Sequence, residues 1–449
     1  MDANEKTAKF ITEIRWDKLP SAVQEKARFC FMDNLGATLA GTPTQVSRIC
    51  TEYASVTWPG DKSTILIHGQ RSSAVGTAFA NAAAANGLDT DDSARYAWGH
   101  AGAQIFPVAM ALTEALNLDG QRLLAAMVAG YEVAHRVGRC WHDDHDVYQA
   151  CGSWGSVACA AVAANLMELT AEQTWHAIGI ADYHAPNVPM MRDIDNPAMV
   201  KHGIPWAAMT GVVSAELASR GFTGIPSILG AEKYQEWSAD IGENYLIVDG
   251  VVWKKKGYAC CGWAHAAVEG AHELVKDNQI ALEEIDQIIV EAFHETNRLG
   301  TKLPQTTEQA QFNLAWPVAA MLVDGEVGPR QTLEERLKDP QIQNLANRIK
   351  IIESDELNEL CRLHAQGDPK GCFASIVTIK LKGGRDFNSG LKEGGFRYVD
   401  PGWSRETMAE KFRWQTNHVL NASQIDQVQD IGWHFDEMSS TKSLIDLVK

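Results

Sequence analysis

The amino-acid sequence predicts a mainly α protein: a large all-helical unit over residues 1–277, completed by 396–449, and a smaller α+β unit at 278–395. Three features of the chain predict it. Up to about residue 270, several Ala- and Gly-rich segments are apolar around most of their circumference, as helices covered on several sides are. From about Asn278, β-branched runs take over, the mark of strands. From Ser404 onward the helical periodicity returns.

Taken in order, Ser21–Gly41 carries an i, i+4 stripe of Val23, Ala27, Phe31, Leu35 and Leu39 behind a Ser21-x-x-Gln24 capping box, so one buried stripe is expected. Phe106–Leu116, Arg122–Cys140, Ser153–Leu169 and Trp206–Ser219 are apolar all round and should pack closely through their small residues. Ile285–Phe293 and Ala374–Leu381 read as strands, the second ending at the turn signal Gly383-Gly384. Leu314–Leu322 and Glu334–Ile349 read as helices between them, and Ser404, Thr407, Ser423 and Ser439 are candidate caps in the last segment.

Composition excludes several classes. With 45% apolar and 22% charged residues among 449, the chain has an ordinary globular make-up. Its net charge of −17 has the wrong sign for binding nucleic acid or an anionic membrane. No run of apolar residues is long enough to span a bilayer, and the opening Met1-Asp2-Ala3-Asn4-Glu5-Lys6 lacks the pattern of an export signal, so a cytoplasmic protein is expected. None of the nine cysteines forms C-x-x-C; they read as packed thiols, the vicinal pair Cys260-Cys261 included.

The common dinucleotide, P-loop, nucleophile-elbow and zincin motifs are all missing, so neither a cofactor nor a metal is expected. The cluster His142-Asp143-Asp144-His145-Asp146 offers metal-ligand types but reads as a solvated loop. More informative is Gly87–His100, where Asp89, Asp91, Asp92 and His100 fall between two apolar segments. Such a loop either carries chemistry or caps the next helix through Asp91 or Ser93. Lys201 and His265 each stand at the front of an apolar helix, where the helix dipole disfavours a cation unless it faces an anion. Together they point to an anion site; the alternative is a snorkelling lysine and a hydrogen-bonded core histidine.

Five blocks in order resemble the MmgE/PrpD family. They are Asp33–Gly41, Asn86–Asp92 with His100, Lys201 ahead of Arg220–Gly224, Cys260–Ala266, and Ala310–Trp316 leading to Leu322–Val327. The resemblance covers nearly the whole chain. It implies a helical domain with an α+β lid, an active site in the cleft between them, a homodimer, no cofactor, and a small di- or tricarboxylate substrate. It also implies site residues: Asp89, Ser93, His100, Lys201 and His265, with Trp316 where a lid tyrosine is more usual. Two positions depart from the pattern: Asp91-Asp92-Ser93-Ala94 stands where Asp-Asp-Thr-His is common, and only Asp146 or His145 matches a histidine expected before the Gly155 helix.

The chemistry needs a base near neutral pKa and positive groups facing the developing charge. Lys201 and His265 fit these needs; His100, oriented by Asp89 or Asp92, is the candidate acid; Ser93, Asp92, Arg192 and Trp316 are candidate substrate contacts. The expected activity is a cofactor-independent lyase of the 2-methylcitrate dehydratase type. The alternatives are an isomerase like iminodisuccinate epimerase, a cis-aconitate-type decarboxylase, or a non-catalytic carboxylate-binding protein.

Overall fold

A computed structural model describes residues 2–254, 257–366, 368, 370–394 and 402–449. The expected division at 395/396 lies outside the described residues.

The protein is mainly α. The helical body is built around α1 (Ser21–Gly41), α2 (Ala74–Ala85), α3 (Gly102–Ala115), α4 (Gly120–Asp144), α5 (Gly152–Leu166) and α6 (Ile204–Ser219). Every residue of α5 is buried, and its main neighbours are α4 and α6. This closeness depends on small side chains: a Cβ on Gly211 of α6 would lie 2.3 Å from that of Cys159 on α5. α1 differs from the expected single stripe. Its second half, Phe29 to Gly41, is buried all round, because α2 and the returning C-terminal helix Arg405–Thr416 flank it. Its N-cap is Pro20, without a side-chain cap, and Gln24 donates instead to the Trp16 carbonyl at 2.8 Å. The C-terminal helix is locked to α1 by a buried pair of Lys411 and Asp33. Among the expected caps Ser404 acts as one, whereas Asn421 replaces Ser423.

A second hydrophobic core forms on a four-stranded sheet: β1 (Ile285–Ala292), β2 (Ile349–Glu353), β3 (Ala374–Leu381) and β4 (Asp386–Glu393). The order is β2-β1-β3-β4, with β1/β2 parallel and the other pairs antiparallel. Glu334–Ile349, expected as one helix, is broken into a 3-10 turn at Arg336–Lys338 and the short helix Pro340–Ala346 before β2 begins at Ile349. Helix α7 (His265–Asp277) packs on β3 and β4 and shares this second core, as do Ala150, Met190 and Ile194 from the helical body. All nine cysteines are free thiols.

Candidate functional site

α2 ends at Asn86, and the loop that follows is folded back by its own hydrogen bonds. Ser93 and Ala94 pair antiparallel with Val252 and Val251, and the Ala94 N–H donates to the Gly99 carbonyl at 2.6 Å. This tight return sets His100 over the acids. Its Nδ1 lies 2.7 Å from Oδ2 of Asp91 and its Nε2 3.4 Å from Oδ1 of Asp89. Asn86 Nδ2 donates to the other oxygen of Asp91 at 2.9 Å. Trp98 holds φ at +47°, a left-handed backbone that is strained for a bulky side chain.

The opposing turn is Lys201-His202-Gly203, with successive φ of 43°, 56° and 73°. Two consecutive non-glycine residues in that region survive only where the surroundings fix them. Here the His202 N–H donates to Asp193 Oδ2 at 2.9 Å, and Gly152 makes room: a Cβ there would lie 2.5 Å from the His202 carbonyl oxygen. The His202 and His100 rings are parallel within 17°, with centroids 5.5 Å apart. Nδ1 of His202 sits 2.8 Å from Asp193 Oδ2, while its Nε2 is buried without a partner. Lys201 Nζ donates to Gln311 Oε1 at 2.8 Å, and Gln311 Nε2 to the Gly87 carbonyl at 2.9 Å, which ties the second unit to the acidic loop. Lys254 Nζ donates to both the carbonyl and Oδ2 of Asp89 at 2.6 Å.

These contacts set the charges. Burial pushes Asp89 towards the neutral acid, but Lys254, His100 and Lys201 outweigh it and hold the carboxyl well below its usual range. Asp91 is likewise lowered, burial being overcome by His100, and so is Asp193, by His202. Burial lowers Lys201, against the raising influence of Asp89, Glu308 and Asp193. Burial works the same way on Lys254, yet Asp89 and Asp91 prevail and raise it. Burial lifts Cys261 to about 12, so this thiol is no nucleophile at neutral pH.

A cavity of about 110 Å³ opens between the two units. Asp89, Ser93, Arg95, His100, His202 and Lys254 form a polar wall. The rest of the lining is mostly rings and sulfur, including Trp98, Tyr148, Met190, Trp263, Phe312 and Phe373, with His364 also in it, its ring 4.3 Å from that of Phe373.

Of the residues singled out in the sequence, Asp89, Ser93 and His100 therefore line the cavity. Lys201 is wholly buried beside it, its Nζ 5.0 Å from the Phe312 ring centroid. Asp92 turns the other way, accepting from Tyr131 Oη, from Asn34 Nδ2 at 3.0 Å and from the Gly102 N–H at 3.0 Å. Asp91, not Asp92, orients His100. Arg192 is on the exposed face of its short helix, and Met190 from the same helix reaches the cavity. His265 faces its own loop, Nε2 3.1 Å from the Cys260 carbonyl and its ring 4.6 Å from that of Tyr258. Trp316 fills the second core, donating Nε1 to the Gln331 carbonyl at 2.9 Å. Lys254, His202 and Asp193 have no role in the sequence reading, and Asp91 there is a loop acid or a helix cap, but the next helix, Gly102–Ala115, has no side-chain cap; the basic run Lys254-Lys255-Lys256 in so acidic a chain is the signal for the first.

The His142–Asp146 cluster does not converge. His142 Nε2 lies 2.7 Å from the Ala97 carbonyl oxygen, the His145 ring stacks on Trp141, and Asp144 pairs with Lys233. Asp89, His100 and His202 do present ligand-type atoms within 4.8 Å of one another, and each histidine is backed by a further carboxylate, as metal-bound histidines usually are.

Comparison with known proteins agrees with the expected relationship. The MmgE/PrpD N-terminal domain matches residues 5–237 and the MmgE/PrpD C-terminal domain residues 258–436. A cis-aconitate decarboxylase of Aspergillus terreus is 22% identical over 96% of this chain and 93% of its own length. The human cis-aconitate decarboxylase is 24% identical over 99% and 94%. A cis-aconitate decarboxylase-like protein, oryM, of Aspergillus oryzae is 21% identical over 98% and 95%. With both domains matched in order and more than half the chain covered by the first alone, this protein belongs to the MmgE/PrpD family.

Proposed function

We propose that the chain is a lyase that breaks a carbon–carbon bond to a carboxylate and releases CO₂, with His100 as the proton donor. The observation that carries this reading is the placement of His100, seated on Asp91 through Nδ1 in a cavity whose lining is otherwise largely apolar. The electron pair of the breaking bond passes into an adjacent carbon–carbon double bond conjugated with a retained acid group. The carbon at the end of that system takes the proton from His100, and CO₂ leaves. An anionic carboxylate that departs as a neutral molecule is favoured where water cannot solvate it, which is what the ring-lined wall provides. Lys254 holds Asp89 in place, and Lys201 adds positive charge behind Phe312. The names of the relatives support the same reaction class.

A hydro-lyase is the second reading, favoured by the same Asp91–His100 pair, because a positioned histidine protonates a departing hydroxyl as well as a carbon. Epimerisation by Lys201 and His265 loses support: it needs groups on opposite faces of one carbon, and His265 is turned to the Cys260 carbonyl. The test is incubation with carboxyl-¹³C-labelled unsaturated and hydroxy acids, followed by NMR. Labelled bicarbonate with loss of one carboxyl supports decarboxylation; new vinyl signals with every carboxyl retained support dehydration. Turnover unchanged in His100→Phe contradicts both.

The reading includes a division of the chain and an assembly. The second core takes in Tyr258 and α7, which supports a boundary near residue 257 rather than 277. A homodimer is supported by exposed apolar side chains on helix Gln45–Thr57, Ile49, Tyr53 and Val56, of which Tyr53 meets the exposed Trp206 across Phe79. Light scattering that gives a single-chain mass at micromolar concentration contradicts the assembly.

A further inference from the structure

We infer that the substrate carries a flat apolar arm, an aryl ring or a branched alkenyl group, and no third carboxylate. This deepens the reading of the same site as one that takes a carboxylate, and rests on it.

The apolar part of the lining is held by ring contacts. The Trp98 ring stacks on His142 at 4.7 Å between centroids and meets Tyr148 edge-on at 6.2 Å. The Tyr148 hydroxyl donates to the Trp98 carbonyl at 2.8 Å, so what Tyr148 adds to the wall is its ring. From the other unit, Phe373 stacks on Phe293 at 5.3 Å, and Phe312 meets the His202 ring edge-on at 5.1 Å. Packed on neighbouring rings, these side chains do not fold in to fill the cavity, and the left-handed backbone of Trp98 is retained to present one of them. A surface of this kind gains most from covering with a flat apolar group.

Charge points the same way. Counted together, the carboxylates Asp89 and Asp91 stand against the cations Lys254, Lys201 and Arg95 in and beside the described lining. Three carboxylates in this space would leave negative charge uncompensated next to Asp89 and Asp91, both held ionised. One or two carboxylates on the polar wall and an arm on the other match both surfaces.

The experiment uses three acids that share a succinate core: succinate, 2-benzylsuccinate and propane-1,2,3-tricarboxylate, with the diamide of 2-benzylsuccinate as a control, all titrated calorimetrically into the whole protein. Benzylsuccinate should bind at least about tenfold tighter than either of the other acids, the scale expected for burying a ring. The diamide should bind at least about tenfold more weakly than benzylsuccinate. Val252→Phe, which fills part of the cavity, should shrink the preference of benzylsuccinate over succinate. Equal binding of benzylsuccinate and succinate, or tighter binding of the tricarboxylate, overturns the inference. Tight binding of the diamide overturns the carboxylate reading beneath it, a different failure that leaves the apolar wall as a site for neutral ligands.

Discussion

The two walls of the cavity are built from different materials and held by different forces. The polar wall is a network in which Asp89, Asp91 and Asp193 each meet a histidine or a lysine, Asp91 and Asp193 a histidine nearby in sequence and Asp89 a lysine, Lys254, from far along the chain. The aromatic wall has few polar atoms, and its rings are steadied by other rings. Charged groups in a poorly solvated space change reactivity, and apolar ones change which ligand is held. The difference therefore assigns reaction rate to one wall and selection to the other.

The largest break in that comparison is expected at His100. His100→Phe should lower kcat by at least ~10²-fold, as loss of a general acid does, with KM changed far less. Asp91→Asn removes the charge that orients the ring, and should lower kcat about tenfold and shift the pH–rate profile, as a positioning group does. On the other wall, Phe373→Ala should raise KM by roughly tenfold with kcat little changed. Steady-state kinetics on any acid turned over in the labelled panel reads all three; a KM effect at His100 or a kcat effect at Phe373 reverses the assignment.

His265→Ala should leave activity within about threefold while lowering stability by ~1 kcal/mol, the worth of a buried hydrogen bond such as its contact with the Cys260 carbonyl. Chemical denaturation beside an activity assay checks it. Stability should also be lost on acidification. Burial holds His135 at about 3 and His142 and His364 at about 4, against an ordinary 6.5. The unfolded chain thus binds protons that the folded one refuses. Stability rises with pH between those values and 6.5, and falls as pH drops, by about 1.4 kcal/mol per pH unit from each group. His135→Leu should flatten the dependence measured by urea unfolding. The smallest effect is expected from chelation: acid–base chemistry by His100 leaves activity unchanged in excess EDTA, and parallel loss of activity and of a metal bound at Asp89, His100 and His202 would contradict it.

The strands Ile285–Ala292 and Ala374–Leu381 are legible because β-branched residues recur in them and, over most of each strand, buried and half-buried positions alternate. Asp386–Glu393 was not, since this edge strand buries little and has no apolar period to read. In the site, Asp89 and His100 were legible as polar residues in one loop between apolar helices. Lys254, His202 and Asp193 join them only through folding, over separations such as the 165 residues between Asp89 and Lys254, and no local pattern carries that. The sequence places the lid aromatic at Trp316, but the ring from this stretch that lines the cavity is Phe312, in the segment just before that helix. An aromatic inside an apolar helix and one aimed at a ligand look alike in sequence, because burial and orientation are decided by what packs around them.

The most direct test of the division between the walls is a crystal structure of the protein with 2-benzylsuccinate. The ligand's carboxylates should lie within hydrogen-bonding reach of Ser93 or Arg95, with its ring against Trp98 and Phe373. A ring set against Asp89 and His100, or a carboxylate lodged among the aromatic side chains, would contradict it.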